Sequence, residues 1–331
     1  MTASTRMPAM PGLRCMWRRW AGSASTSRTA YPPTGDTCGW PPGSTTAMPP
    51  RSRACASAPG ARRCPSTSRC SSNNAWAGRA KDNRQMTYCV GLKLNRGLVM
   101  MSDTRTNAGV DYISVFRKMF VWETEGERSI TVMTAGNLAT TQSVISLLNE
   151  RAKPADERGQ PSILEAPSMF QVARLVGATL KEVIADQTGQ DGPVAETPFS
   201  ASIILAGQVR GGEPRLFLIY PEGNFVEASA DTPFFQIGET KYGRPILVRA
   251  YDPDMSFEDA VKLLMVSFDS TLKANLSVGL PLDLHVYEAD TFRTGVRQRI
   301  ERDNAYFDMI SRDWGDALKE AFGKLPPYSW S

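Results

Sequence analysis

A hydrolytic nucleophile needs a base, and the chain from Met86 onward offers few. It holds one histidine, His285, in the middle of a strand-like run, and one cysteine, Cys89. A Ser-His-Asp or Cys-His arrangement would have to use that histidine, yet no G-x-S-x-G elbow accompanies it. A lone strand histidine reads as structural. Three-ligand zinc sites are equally short of donors, so no metal or cofactor is expected. The remaining way to activate a weak hydroxyl is the chain's own α-amino group, a usable general base at neutral pH with its pKa of about 8. Thr87 directly follows Met86, and a starting methionine before a small residue is usually trimmed. A nearby lysine would lower the hydroxyl's pKa, and a carboxylate would hold that lysine. Asp103, in Ser102-Asp103-Thr104-Arg105, and Lys118, after a second apolar run, lie on the following strands where both can reach Thr87.

Plain readings stand beside each of these. Asp103 could cap a turn, Lys118 could guard a strand edge, and Gly136 could permit a strand-to-helix turn. With one histidine and one cysteine in the domain, the joint pattern favours the terminal nucleophile.

Composition divides the chain at the same place. Residues 1–85 contain no Val, Ile or Phe, one leucine (Leu13), and five of the six cysteines. Their charges are 12 Arg and Lys81 against Asp36 and Asp82, a net +11, which leaves −7 for 86–331. A segment so poor in aliphatic side chains cannot bury enough apolar surface to fold alone. Its arginines are scattered and its aromatics few, so a nucleic-acid arm is disfavoured. No apolar run follows the early arginines as a secretory signal requires, and the proline load argues against a transit peptide. Its cysteines lack C-x-x-C spacing. Residues 1–85 are therefore expected to be an unstructured or spurious upstream extension, with Met86 as the true start. Residues 86–331 are one domain, long enough for a sizeable core. Its single cysteine suits a reducing cytoplasm, and its apolar runs are too short to cross a bilayer.

Those residues need a scaffold that brings distant strands together. The pattern predicts strands at Tyr88–Leu94, Leu98–Ser102, Val115–Trp122 and Ser129–Ala135, paired across polar turns. A helix from Gly136-Asn137 to Glu150 follows, and a second from Ser168 to Asp186, opened by the capping pair Ser168 and Gln171. Strands return at Ser200–Gln208, Arg215–Tyr220, Phe225–Ser229 and Phe234–Ile237. Helices are expected over 242–250 and Phe257–Asn275, then a strand at Leu282–Glu288 and an exposed helical region over 296–322. Strand blocks alternating with helix pairs suggest packed antiparallel sheets with helices outside. No G-x-G-x-x-G or P-loop motif is present.

The set Thr87, Ser102-Asp103-Thr104-Arg105-Thr106, Lys118 and Thr134-Ala135-Gly136 resembles the N-terminal nucleophile signature of proteasome β-type subunits. It is most similar to the bacterial proteasome-related family Anbu, the ancestral β-subunit. The resemblance covers residue 86 to the C-terminus and implies an α+β fold, the four-layer αββα sandwich of N-terminal nucleophile hydrolases. It implies a threonine-type endopeptidase in which Thr87 attacks and Asp103 and Lys118 support it. The backbone N–H of Gly136, at a helix start, would meet the oxyanion, and Arg105 would neighbour Asp103. It also implies a cytoplasmic homo-oligomer, ring-like or a short helical particle, acting on peptide or protein. Unfolding large substrates would need a separate ATPase or operon partner. Lys118 sits about one residue nearer the nucleophile than in ordinary β-subunits. Where those carry a serine after Gly238 this chain has Glu239, and where they carry an aspartate three residues before Ser277 it has Ala274. Ser277 itself is retained to support the amine. The alternatives are an assembly protein of the same fold with little proteolysis and an N-terminal nucleophile amidase acting on a small amide.

Overall fold

The computed structural model describes residues 87–107, 113–188 and 198–330. The expectations for residues 1–86, Met86 among them, lie outside these. In chain order, β1 (Tyr88–Leu94) and β2 (Gly97–Asp103) form a hairpin, and β3 (Arg105–Asn107) pairs with β4 (Ile113–Val115) in a small ribbon. A second hairpin, β5 (Met119–Thr124) and β6 (Arg128–Gly136), leads to helices α1 (Leu138–Arg151) and α2 (Met169–Thr188). Strands β7 (Ala201–Val209), β8 (Arg215–Ile219), β9 (Phe225–Glu227) and β10 (Phe234–Gly238) follow, then α3 (Arg244–Ala250) and α4 (Phe257–Ala274). The described chain closes with β11 (Leu282–Glu288), β12 (Val296–Ile300) and α5 (Ala305–Gly323).

Two five-stranded antiparallel sheets result, in the orders β10-β1-β2-β11-β12 and β5-β6-β7-β8-β9. Strand alternation sorts their side chains into three apolar layers. In β6, Ile130 and Val132 face α1 and α2, while Met133 and Ala135 face the other sheet. In β2, Val99 and Met101 face α4, while Leu98 and Met100 face the second sheet. The result is the four-layer αββα sandwich. Helix α2 presents Val172, Val176, Leu180 and Ile184, at the 3.6-residue period, to its sheet, and each such burial contributes about 1.5–3 kcal/mol. Among the described residues, no helix is long and apolar enough to cross a membrane.

Two expectations require correction. Residues 296–322 are not one helical region: Val296–Ile300 pairs with β11 as an edge strand before α5 begins. Only Ile300 of that strand is buried, so its polar, alternating sequence lacks the apolar face that marks a central strand. Val115–Trp122 is not one strand either. Val115 ends β4, and the chain turns through Phe116–Lys118 before β5, with Phe116 N–H donating to the Thr104 carbonyl at 2.8 Å.

The space between the sheets holds two groups of note. Cys89, on β1, is fully buried, with its thiol 3.7 Å from the Thr134 carbonyl. His285, on β11, is also fully buried; its Nδ1 shares a hydrogen bond with Thr131 Oγ1 of β6 at 2.8 Å, and its Nε2 pairs with the Thr294 carbonyl. It is a satisfied core histidine that ties the two sheets. Burial pushes its pKa down to about 4. The unfolded chain, with an ordinary value of about 6.5, takes up the proton first as pH falls. Stability from this group is thus complete above about pH 6.5 and is lost towards pH 4, by about 3 kcal/mol. Denaturant unfolding at pH 7 and pH 4.5 should show most of this loss, and His285→Gln should remove it. Equal acid sensitivity in the variant would contradict the assignment.

Candidate active site

Four segments converge at one end of the inter-sheet gap. Thr87 precedes β1, Asp103 ends β2, Lys118 precedes β5 and Gly136 ends β6. Thr87, Lys118 and Gly136 line one cleft, together with Thr106, Phe120 and Thr134. Asp103 lies beneath it, wholly inaccessible.

Thr87 is positioned through its backbone. Its carbonyl accepts a hydrogen bond from Glu239 N–H at 2.6 Å. The next N–H along, that of Tyr88, donates to Asp103 Oδ1 at 3.0 Å. Gly238 adopts φ +81° and lies so close to the Thr87 carbonyl that a Cβ there would overlap it; only glycine takes this conformation and approach at no cost. The Tyr88 side chain points the opposite way, into the outer core. Its hydroxyl shares a hydrogen bond with Ser267 Oγ at 2.7 Å and accepts one from Gln236 Nε2 at 2.7 Å, and its ring packs 4.5 Å from that of Phe268. Burial pushes the phenol up to about 12, so it is neutral at working pH.

Lys118 Nζ donates to Asp103 Oδ1 at 2.8 Å and to the Arg105 carbonyl at 2.6 Å. Its side chain is 6 % exposed and that of Asp103 is 0 % exposed, so the edge-guard reading of Lys118 does not hold. Burial pushes the Asp103 carboxyl above its ordinary value, opposed by the Lys118 ammonium and by the N–H groups of Tyr88 and Gly279. Arg105 packs its side-chain methylenes against Gly279, where an added Cβ would meet its Cδ at 2.7 Å. Arg105 therefore serves the site twice, through its carbonyl and by packing.

At Gly136 the strand gives way to α1, whose N-cap is Asn137; its side chain accepts from Thr140 N–H at 3.1 Å. Asn137 N–H bonds the Ser200 carbonyl and Thr134 N–H bonds the Lys118 carbonyl. Successive N–H groups of a strand alternate sides, so Gly136 N–H points to the Lys118 side, past the last rung of that ladder. Gly136 has φ +116°, and a Cβ would lie 2.5 Å from the Ser200 carbonyl. Ser277 lies in the turn after α4, between Asn275, which binds Glu239, and Gly279, which packs on Arg105; its N–H is bonded to Asn275 Oδ1 at 2.9 Å. It does not line the cleft, and among the described residues its hydroxyl has no hydrogen bond. Glu239 is buried, but its carboxylate is engaged by Lys241 N–H at 2.8 Å and Asn275 Nδ2 at 3.0 Å.

The proteasome subunit family profile matches residues 85–280. The chain is 46% identical to Anbu (ancestral beta-subunit) from Yersinia bercovieri, covering all of that chain and 74% of this one with a TM-score of 0.68. The chain belongs to the proteasome subunit family, on its Anbu branch. A second Anbu structure, a helical assembly of the complex from Pseudomonas aeruginosa, is 47% identical over 98% of its chain and 73% of this one, with a TM-score of 0.68. The proteasome subunit beta 2 of Pyrobaculum calidifontis is 24% identical over 206 residues, covering 90% of its length and 62% of this chain.

Sequence reasoning did not single out several groups that build this Anbu-type site. Tyr88, the Arg105 carbonyl and the Glu239 N–H all act through contacts far apart in sequence, and two of the three are backbone atoms that leave no side-chain signature. Removing one partner of a buried ion pair strands the other, at a cost of about 3–5 kcal/mol. Lys118→Ala should lower stability by that amount in urea unfolding, whereas Asp103→Leu with Lys118→Met should recover most of it. An undiminished loss in the double variant would mean that packing, not charge, is the cause.

Proposed function

We propose that the chain is a threonine-type peptidase subunit of a self-compartmentalising particle, with Thr87 as nucleophile once Met86 is removed. The arrangement of Thr87 beside the buried Asp103–Lys118 pair, at the rim of a cleft that Gly136 also lines, carries this reading. The Thr87 hydroxyl attacks the scissile carbonyl and its proton passes to the free α-amine. The Lys118 ammonium lowers the hydroxyl's pKa, while Asp103 holds that ammonium in place. Developing negative charge on the carbonyl oxygen is met by Gly136 N–H, aimed into the cleft at the end of its ladder. The amine returns the proton to the departing peptide nitrogen, and water hydrolyses the resulting ester on Thr87 by the reverse path. Ser277 is assigned to support of the amine. The particle is a cytoplasmic homo-oligomer, in keeping with the helical assembly of its Pseudomonas relative, and a separate ATPase or operon partner delivers folded protein substrates.

One observation favours a second reading, an assembly protein of the same fold with little proteolysis. Glu239 occupies the position where β-subunits offer a serine to the amine, and its carboxylate is already bonded to Lys241 N–H and Asn275. Incubation with an epoxyketone or β-lactone separates the two. A mass adduct that disappears in Thr87→Ala supports the peptidase; no adduct and no turnover of a peptide library supports the assembly protein. A full chain beginning at Met1 and left unprocessed should be inactive, because Thr87 then has no free amine. Activity from that intact chain, with its mass unchanged, would refute the terminal-nucleophile mechanism.

A further inference from the structure

A second cleft opens between β12 and the head of β5, with a volume of about 270 Å³. A single water needs about 10–15 Å³ of such space, so a carboxylate-sized group fits. Its walls include Arg117, Met119, Asp283, Arg297 and Arg299. Strand pairing sets Arg299 directly across from Asp283, and Arg297 directly across from His285. Directly opposed residues project from the same face, so both arginines stand on the face that His285 turns towards the other sheet.

The charges here form long ion pairs without hydrogen bonds. Arg299 Nε is 3.7 Å from Asp283 Oδ1 and 3.5 Å from Glu301 Oε1, both too long for a hydrogen bond. Arg299 Nε and Asp283 Oδ2 are shielded from solvent and have no hydrogen-bond partner among the described residues. Burial pushes the Asp283 carboxyl up even though Arg299, Arg117 and Arg297 pull it down. Three guanidinium groups, those of Arg117, Arg297 and Arg299, thus act on the one carboxylate that lines the cleft, Asp283, while Glu301 approaches Arg299 from outside it, so basic side chains outnumber acidic ones along the wall. Arg117 also lines the Thr87 cleft, so the two clefts share it as a common wall.

We propose that this second cleft is an anion subsite that takes a carboxylate of the peptide lying across Thr87, gripped by Arg117, Arg297 and Arg299, so that the particle selects acidic peptides. Guanidinium forks match the planar carboxylate with two parallel hydrogen bonds. Arg297, exposed at the sheet edge, and Arg117, between the clefts, can close on the ligand from two sides. The identity of the ligand rests on the peptidase reading of Thr87.

Binding tests this without requiring cleavage. The protein carrying Thr87→Ala is titrated with short, fluorescein-labelled, alanine-rich peptides in which a single Glu is stepped along the chain, each paired with its Gln counterpart. Free and amidated C-termini are compared in the same set, which distinguishes a side-chain carboxylate from a chain end. At least one charged form should bind about tenfold tighter than its neutral counterpart, the scale of one charge-assisted hydrogen bond. That preference should weaken at high salt and disappear in Arg297→Gln and in Arg297→Gln with Arg299→Gln. Equal binding of every charged and neutral pair overturns the proposal, as does a preference that survives both variants. If Arg297→Gln leaves peptide binding unchanged but alters the particle mass in sedimentation, the cleft is a subunit contact and the proposal fails. Failure of Thr87 as nucleophile is read separately, from a missing β-lactone adduct on the unsubstituted protein, and leaves the binding result standing.

Discussion

A lysine from the edge of one sheet reaches across to an aspartate at the end of the other, and the start of the folded chain hangs on that junction. Asp103 Oδ1 receives both the Lys118 ammonium and the Tyr88 N–H, so one oxygen joins both sheets and the residue after Thr87. In a water-excluded gap the attraction between these charges is strong, but so is the penalty for leaving either alone. The junction therefore has few alternative arrangements. Thr87 inherits its position from groups that cannot move independently, which is what a nucleophile awaiting a substrate carbonyl requires.

The rest of the sandwich serves to keep that gap dry and in register. Its middle layer is mostly Met, Leu, Ile and Ala, interrupted by a few polar pairs that cross from sheet to sheet, His285 with Thr131 among them. Apolar layers tolerate sliding, whereas a buried hydrogen bond fails when its partner shifts. On the outer side of the first sheet, Tyr88 plugs into Ser267 and Gln236. The residue that follows Thr87 is thereby anchored by its amide on one side and by its phenol on the other. Thr87 needs no hydrogen bond from its own side chain to be held.

Much of this was legible in the sequence, for identifiable reasons. β1 and β11 were predicted with their observed limits because each alternates cleanly between buried faces and is bounded by turn residues. Packed antiparallel sheets with helices outside followed from strand blocks separated by helix pairs, and the resemblance to proteasome β-type subunits implied the four-layer αββα order. Thr87, Asp103 and Lys118 could be proposed together because histidine and cysteine chemistry had so few donors, and the family resemblance added Gly136; three of the four line one cleft with Asp103 beneath. Ser277 is not among the residues that line that cleft. β12 was not legible, since Val-Arg-Gln-Arg-Ile carries a single buried side chain and owes its conformation to pairing with β11. Nor was the irregular stretch Phe116–Lys118, whose apolar and basic residues read as a strand until long-range bonds to Thr104, Asp103 and Arg105 bend it. Backbone donors and acceptors, such as Glu239 N–H and the Arg105 carbonyl, have no residue-type signature.

Cys89 gives the fold a built-in reporter. It is the free cysteine among the described residues, two positions from Thr87 and sealed between the sheets. Burial raises its thiol well above the ordinary range, and the thiolate is the form that reacts with alkylating reagents. Labelling at this position therefore requires the sheets to part. Its rate measures how often the sandwich breathes at the end where the candidate nucleophile sits, and a ligand that bridges the two sheets would register as slower chemistry at a sulfur it never touches.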